Sequence, residues 1–192
     1  MVGNTPNFTK IDVLRCMLRF GKKNVARHTL TNGLELGEGT IRTILDGLKA
    51  KNVLDSTKKG HFLSKKGEEI LNGLSGNISM PKEIRLDYLY PELKKIGVVV
   101  KNSAALEKVY VLRDIAVKSG AEGAVIFRFE NKLYAPESDY VHDYGELESL
   151  FGFNDNDVLV VAFAKEKRNA ENGALAIAIE LNSALKKFIN EV

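Results

Sequence analysis

Thr40, Arg42 and Thr43 lie within four positions of one another, with Gly39 just ahead of them. A guanidinium donates two parallel hydrogen bonds to guanine O6 and N7, and a threonine touches a thymine methyl or a phosphate. A second group follows: Lys58 and Lys59 before Gly60, then His61, then Lys65 and Lys66. Ammonium groups neutralise phosphates, and each such contact adds about 0.9 to the logarithmic salt slope of binding. The alternative use of Arg42 is an ion pair with Asp46 at i+4, and a solvated lysine hairpin is the alternative use of Lys58 and Lys59. Glu38 opposes phosphate, so it reads a cytosine amino group, favours the helix dipole or stands clear.

These side chains need a helix and a turn to present them. Ile41, Ile44, Leu45 and Leu48 recur at helical spacing and mark a buried side. Glu38, Gly39, Thr40, Arg42, Thr43 and Asp46 fall on the other side or at the N-terminal end. Gly37 caps this helix, with Leu36 and Ile41 as a hydrophobic staple. Ahead of it, Thr9 and Asp12 read as a capping box opening a helix whose apolar stripe is Ile11, Leu14, Met17 and Leu18, ended by Gly21. A short helix over residues 26–32, ended by Gly33, lies between them. Beyond residue 51, residues 53–57 and 61–64 read as two strands joined by Lys58-Lys59-Gly60, and Ser64 caps a closing helix.

Residues 10–74 resemble a winged helix-turn-helix domain of bacterial and archaeal transcriptional regulators. The resemblance is carried by Leu36-Gly-Glu-Gly-Thr-Ile-Arg42, Leu45, Leu48, Asn52-Val-Leu54 and Leu63-Ser-Lys-Lys-Gly-Glu-Glu-Ile-Leu71. The two-domain layout is also similar to archaeal proteins with an N-terminal winged helix and a small C-terminal α/β domain. The resemblance implies dimeric binding of double-stranded DNA. The recognition helix 37–51 would enter the major groove and the wing 53–64 would lie on the backbone. Gly39, Thr40, Arg42, Thr43, Lys58, Lys59, His61 and Lys65 are the expected DNA-binding residues.

Charge agrees with this division. Residues 1–80 hold 13 Lys/Arg against 7 Asp/Glu, and residues 81–192 hold 15 against 18. A basic front half faces a polyanion more readily than an acidic back half does. The chain has one cysteine, Cys16, so no internal disulfide is expected, and a cytoplasmic location fits. No apolar run approaches the roughly 20 residues of a membrane span.

The turn-forming cluster Asn72-Gly-Leu-Ser-Gly-Asn-Ile-Ser-Met-Pro81 marks a boundary. The expected organisation is a winged helix over 8–74, a linker or arm over 75–92 and an α/β domain over 93–192. That last domain reads β-α-β-β-α-β-α: a strand at 96–101, a helix from Asn102 or Ser103 to residue 119 or 120, a hairpin over 124–135, a helix at 145–151, a strand at 158–164 and a final helix over 170–190. The fold class is therefore a two-domain α+β or α/β protein, and a ferredoxin-like sandwich with one extra helix is the expected C-terminal topology. Leu175, Ile177, Ile179, Leu181, Leu185 and Ile189 form an apolar arc wider than one sheet face needs. A second subunit or full burial would each account for it.

Catalytic chemistry is not apparent. His142 is the sole histidine of the second half, so no His-Cys metal set or histidine pair forms there. Asp139, Asp143, Glu146 and Glu148 read as solvated acidic surface. No Ser-His-Asp spacing or phosphate-cradling loop occurs, so neither an enzyme nor a metal or other cofactor is expected. One anion site is expected where the strand at 158–164 runs into a basic loop, with Lys165, Arg168 and Asn172 joined by Arg128 and Tyr134, for a small anionic metabolite. The resulting expectation is a sequence-specific, homodimeric DNA-binding regulator whose C-terminal domain senses a ligand or dimerises. An RNA-associated or protein-interaction winged helix is the alternative, followed by an enzyme active in its C-terminal domain.

Overall fold

Helix formation starts where a side chain meets the free amides. Thr9 Oγ1 accepts from the Asp12 N–H at 3.4 Å, and the Asp12 carboxylate accepts from the Thr9 N–H at 2.9 Å. This reciprocal box opens α1 (Lys10–Leu18). Asp12 also accepts from Arg15 Nη1 at 2.9 Å, with both side chains buried. Leu14, Met17 and Leu18 are buried as expected, together with Val13 and Cys16, while Ile11 is half-buried. The computed structural model describes residues 8–191 except 22–23, 87–88, 104–105, 107, 137 and 139–142. His142 and Asp139 lie outside the described residues.

Helix α2 (Arg27–Leu34) runs through Gly33 and ends at Glu35, which takes the left-handed conformation at φ 55°. Helix α3 (Glu38–Ala50) follows Gly37 and buries Ile41, Ile44, Leu45 and Leu48. Strands β1 (Leu54–Thr57) and β2 (Gly60–Leu63) form an antiparallel hairpin. Gly60 sits at φ +124°, and a Cβ there would lie 2.7 Å from the Val25 carbonyl oxygen. Val25 and His61 exchange backbone hydrogen bonds of 2.7 and 2.9 Å, which ties the hairpin to the segment before α2. Ser64 Oγ accepts from the Gly67 N–H at 3.1 Å and donates to the Asn52 carbonyl at 2.7 Å. That cap starts α4 (Lys65–Asn77).

Two compact units result: the chain up to Gly73 joined by residues from Phe188 onward, and Leu74–Lys187. The second contains β3 (Lys82–Ile84), β4 (Lys94–Val100), α5 (Val109–Lys118), β5 (Gly123–Glu130), β6 (Lys132–Tyr134), α6 (Gly145–Leu150), β7 (Val158–Ala164) and α7 (Lys167–Leu181). Helix α8 (Ser183–Glu191) begins in this unit and ends in the first. The expected arm over 75–92 is structured in part, because α4 reaches Asn77 and β3 pairs with β4. Helix α5 starts later than expected: Asn102 and Lys108 both adopt left-handed conformations, at φ 47° and 53°. The expected final helix is two, because Asn182 is extended and its Oδ1 accepts from the Ala184 and Leu185 amides, capping α8.

The five strands form one antiparallel sheet in the order β3-β4-β7-β5-β6. A ferredoxin-like sheet would set the first and third strands of the βαββαβ series side by side. Here the fourth, β7, lies between the first, β4, and the second, β5. Strand β7 is buried at all seven positions and needs a neighbour on each side, whereas three-residue β6 belongs at an edge. Helix α7 covers β4 and β7 and packs on α5. Ala170 through Ala178 are buried, and a Cβ on Gly173 would lie 2.6 Å from that of Ala121. Of the apolar arc, Leu175, Ile177 and Leu185 are buried, while Ile179, Leu181 and Ile189 are half-buried. On the opposite sheet face Val99, Phe127, Leu159 and Val161 meet Leu147 of α6. The chain is a two-domain α+β protein: a winged helix-turn-helix, then an antiparallel sheet with helices.

Candidate nucleic-acid interface

The first turn of α3 leaves its amides without a side-chain cap, since Gly37 has none to offer. The positive end of the helix is accordingly open, moderated by Glu38. Gly39, Arg42 and Thr43 are exposed and Thr40 is half-exposed. Thr43 Oγ1 donates to the Gly39 carbonyl at 3.0 Å, which fixes its rotamer and leaves its lone pairs and methyl outward. Asp46 pairs with Lys49 at 3.7 Å, so the alternative use of Arg42, an ion pair with Asp46, is not formed.

The remaining cations of this unit divide by what they bond. Arg15 is held by Asp12. Lys10 Nζ donates to the Ile189 carbonyl at 2.8 Å and Lys51 Nζ to the Glu191 carbonyl at 2.7 Å, so these two satisfy the end of α8. Lys66 Nζ donates to the Lys51 carbonyl at 3.0 Å, past the end of α3. Among the described residues the side chains of Arg42, Lys58, Lys59 and Lys65 have no such partner, and all four are exposed. Lys58 and Lys59 form the tip of the β1–β2 hairpin, where Thr57 Oγ1 accepts from the Lys59 N–H at 3.2 Å and from Asn24 Nδ2 at 3.1 Å.

His61 does not join them. Its side chain is 8% exposed and Nδ1 has no hydrogen-bond partner. Burial, then Lys49 and Arg27, holds its pKa below the ordinary 6.5. The signal was present in the sequence: residues alternate along a strand, so His61 shares the inward face with Leu63.

The second expected site is dispersed. Arg128 pairs across the hairpin with Tyr134 and lies opposite Val158, the start of β7, whereas Lys165 follows its end. At about 3.3 Å per residue, seven-residue β7 separates the two groups by roughly 20 Å. Arg128 donates to Glu130 and Asn156, and the Tyr134 hydroxyl donates to Glu130, a closed network. Lys165 is exposed and Arg168 half-buried. Asn172 is buried inside α7 at 8% exposure. Lys167 is taken by Glu83 at 2.9 Å, a hydrogen bond that holds the Glu83 carboxyl below its usual range. What sequence reasoning missed is a cavity of about 490 Å³ between α5 and β5, bordered by Val109, Arg113, Phe127 and Tyr144.

This geometry is that of a two-domain α+β protein with an N-terminal winged helix. Residues 10–69 match the family model described as PH0730-like, N-terminal domain, and residues 92–181 match a domain of unknown function, DUF4443. Hypothetical protein PH0730 from Pyrococcus horikoshii OT3 is similar over 94% of this chain and 99% of that one, with 29% identity and a TM-score of 0.78. An IclR transcriptional regulator from Alicyclobacillus acidocaldarius aligns over 92% and 96% of the two chains at 10% identity with a TM-score of 0.30. No curated protein matches the sequence. No helix among the described residues is long and apolar enough to cross a membrane.

Proposed function

We propose that this protein is a sequence-specific DNA-binding transcriptional regulator that acts as a homodimer, with α3 in the major groove and the β1–β2 hairpin on the backbone. The observation that carries this reading is the sorting of cations in the first unit. Arg15, Lys10, Lys51 and Lys66 are committed to internal bonds, while Arg42 on α3 and Lys58, Lys59 at the hairpin tip are exposed and unengaged among the described residues. Lysines at a hairpin tip add nothing to a core, and a helix beside a basic hairpin suits a groove flanked by phosphates. The second unit would sense a ligand or build the dimer. A ligand would act through differing affinity for two arrangements of the DNA-binding units.

Fluorescence anisotropy on duplex DNA across a salt series tests the reading. The Lys58→Ala/Lys59→Ala double variant is expected to lower the slope of log K against log salt by about 1.8, two contacts at about 0.9 each. An unchanged slope, or wild-type affinity for single-stranded RNA equal to that for duplex DNA, would count against it.

A further inference from the structure

Strand β5 is paired unequally along its two sides. Toward β7 it pairs from Gly123 to Arg128, but toward β6 only from Arg128 to Glu130. The Phe129 N–H donates to the Asp157 carbonyl on the β7 side. The alternation of an antiparallel ladder therefore turns the amides of Ala124 and Ile126 the other way. There, no strand among the described residues meets them. Helix α5 packs on β5 and carries Val109, Arg113 and Val117 at four-residue spacing, hence on one helix face. The cavity of about 490 Å³ reaches Val109, Arg113, Ile126 and Phe127, and a second of about 630 Å³ continues past Arg113 and Val125 to Val117 and Gly123.

The walls are chiefly apolar. Leu86 and Phe127 share a buried cluster, and Tyr144 meets the Phe127 ring edge-on at 4.8 Å. Burial raises the Tyr144 phenol above its ordinary value, so the hydroxyl stays protonated. Arg113 supplies positive charge midway along the groove; Asp143, whose Oδ1 accepts from the Gly145 N–H at 3.0 Å, also lines the first cavity, and Glu92 and Glu122 line the second. Arg113 already interacts within the chain, but a guanidinium has five N–H donors and can serve an anion as well. Cavities of about 300–1,000 Å³ with apolar walls and a few convergent polar groups are the usual form of a small-molecule site. With α5 on the Ile126 face and Leu86 on the Phe127 face, another sheet is hindered from reaching this edge.

We propose that the groove between α5 and the open edge of β5 binds a small apolar acid, its hydrocarbon body against Leu86, Val109, Phe127 and Tyr144 and its anionic group at Arg113 and the Ile126 amide. As the effector site of a regulator it rests on the function proposed above; occupancy itself is measured without DNA, so failure of one reading is distinguishable from failure of the other.

Two fluorescent probes test the site on the full chain: anionic 8-anilinonaphthalene-1-sulfonate and neutral N-phenyl-1-naphthylamine. Each is expected to bind once per chain. Ala135→Trp, at the cavity wall, abolishes both. Arg113→Gln weakens the anionic probe about tenfold and leaves the neutral one unchanged, with melting temperatures of both variants showing that they remain folded. Failure of either probe to bind, binding unaffected by both substitutions, or equal weakening of the two probes by Arg113→Gln overturns the proposal. Displacement by extended apolar peptides without dependence on Arg113 would assign the groove to strand addition and likewise overturn it.

Discussion

Arg42 and Thr43 show how far a side chain's fate is written locally. Ile41, Ile44, Leu45 and Leu48 occupy one arc of α3, so the residues between them face outward by helical geometry alone. If Arg42 reads a base, Arg42→Ala weakens binding to a selected site by about 1–3 kcal/mol and flattens preference at one base pair, with little change on unrelated duplexes. Anisotropy with a panel of single-base variants checks this; uniform weakening would reassign Arg42 to phosphate. Cys16 has an opposite environment. It is fully buried, and burial pushes its pKa up to about 12. The thiolate is the reactive form, so the native protein is expected to resist a disulfide reagent such as Ellman's at pH 8 and to react once unfolded. Rapid native labelling would contradict that burial. Asn172 follows a basic loop in sequence, yet α7 begins at Lys167 and turns it inward, a placement that depends on tertiary context.

At the scale of elements, the winged hairpin was legible because its turn residues, strand lengths and Ser64 cap all agree. What was not legible is that Val25 pairs with β2 at His61, whose side chain is buried. Burial of His61 has a pH consequence. The folded-state pKa of His61 is depressed below the unfolded value, so the unfolded chain binds the proton more tightly. Stability from this residue is present above pH 6.5 and is lost as pH falls from 6.5 through the lowered pKa. The melting temperature should therefore drop between pH 7.5 and 5 more steeply for the wild type than for His61→Phe. Parallel curves would show that folding does not depress the His61 pKa. In the second unit, strand lengths were legible while strand order was not. Burial of every β7 residue demands two neighbours but does not name them; in the fold they are β4 and β5, with α7 packed on β4 and β7 and α5 on β5.

Over the whole molecule, charge is partitioned: 13 Lys/Arg against 7 Asp/Glu up to residue 80, and 15 against 18 beyond it. A basic first half and an acidic second half suit a protein that holds a polyanion with one part and leaves the other clear of it. If the active species is a two-fold dimer, its sites are expected to be pseudo-palindromes with half-sites about 10–10.5 bp apart, or a multiple of that, centre to centre. Binding-site selection followed by footprinting measures this spacing; single, unrepeated sites would argue for a monomer.

The amino-acid sequence by itself determined most of the helices and strands, though not the start of α5, the pairing of β3 or the break between α7 and α8, because apolar periodicity and caps act over a few neighbouring residues. It also determined the lysine tip and the outward side of α3, since a local turn and a helical arc suffice to expose them. Only the tertiary structure decided that Asn172 is interior, that Arg128 and Lys165 lie at opposite ends of β7, and that among the described residues no strand meets β5 beside Arg113. Those outcomes depend on contacts between residues distant in the chain, and a side chain carries no mark of which distant partner will pack against it.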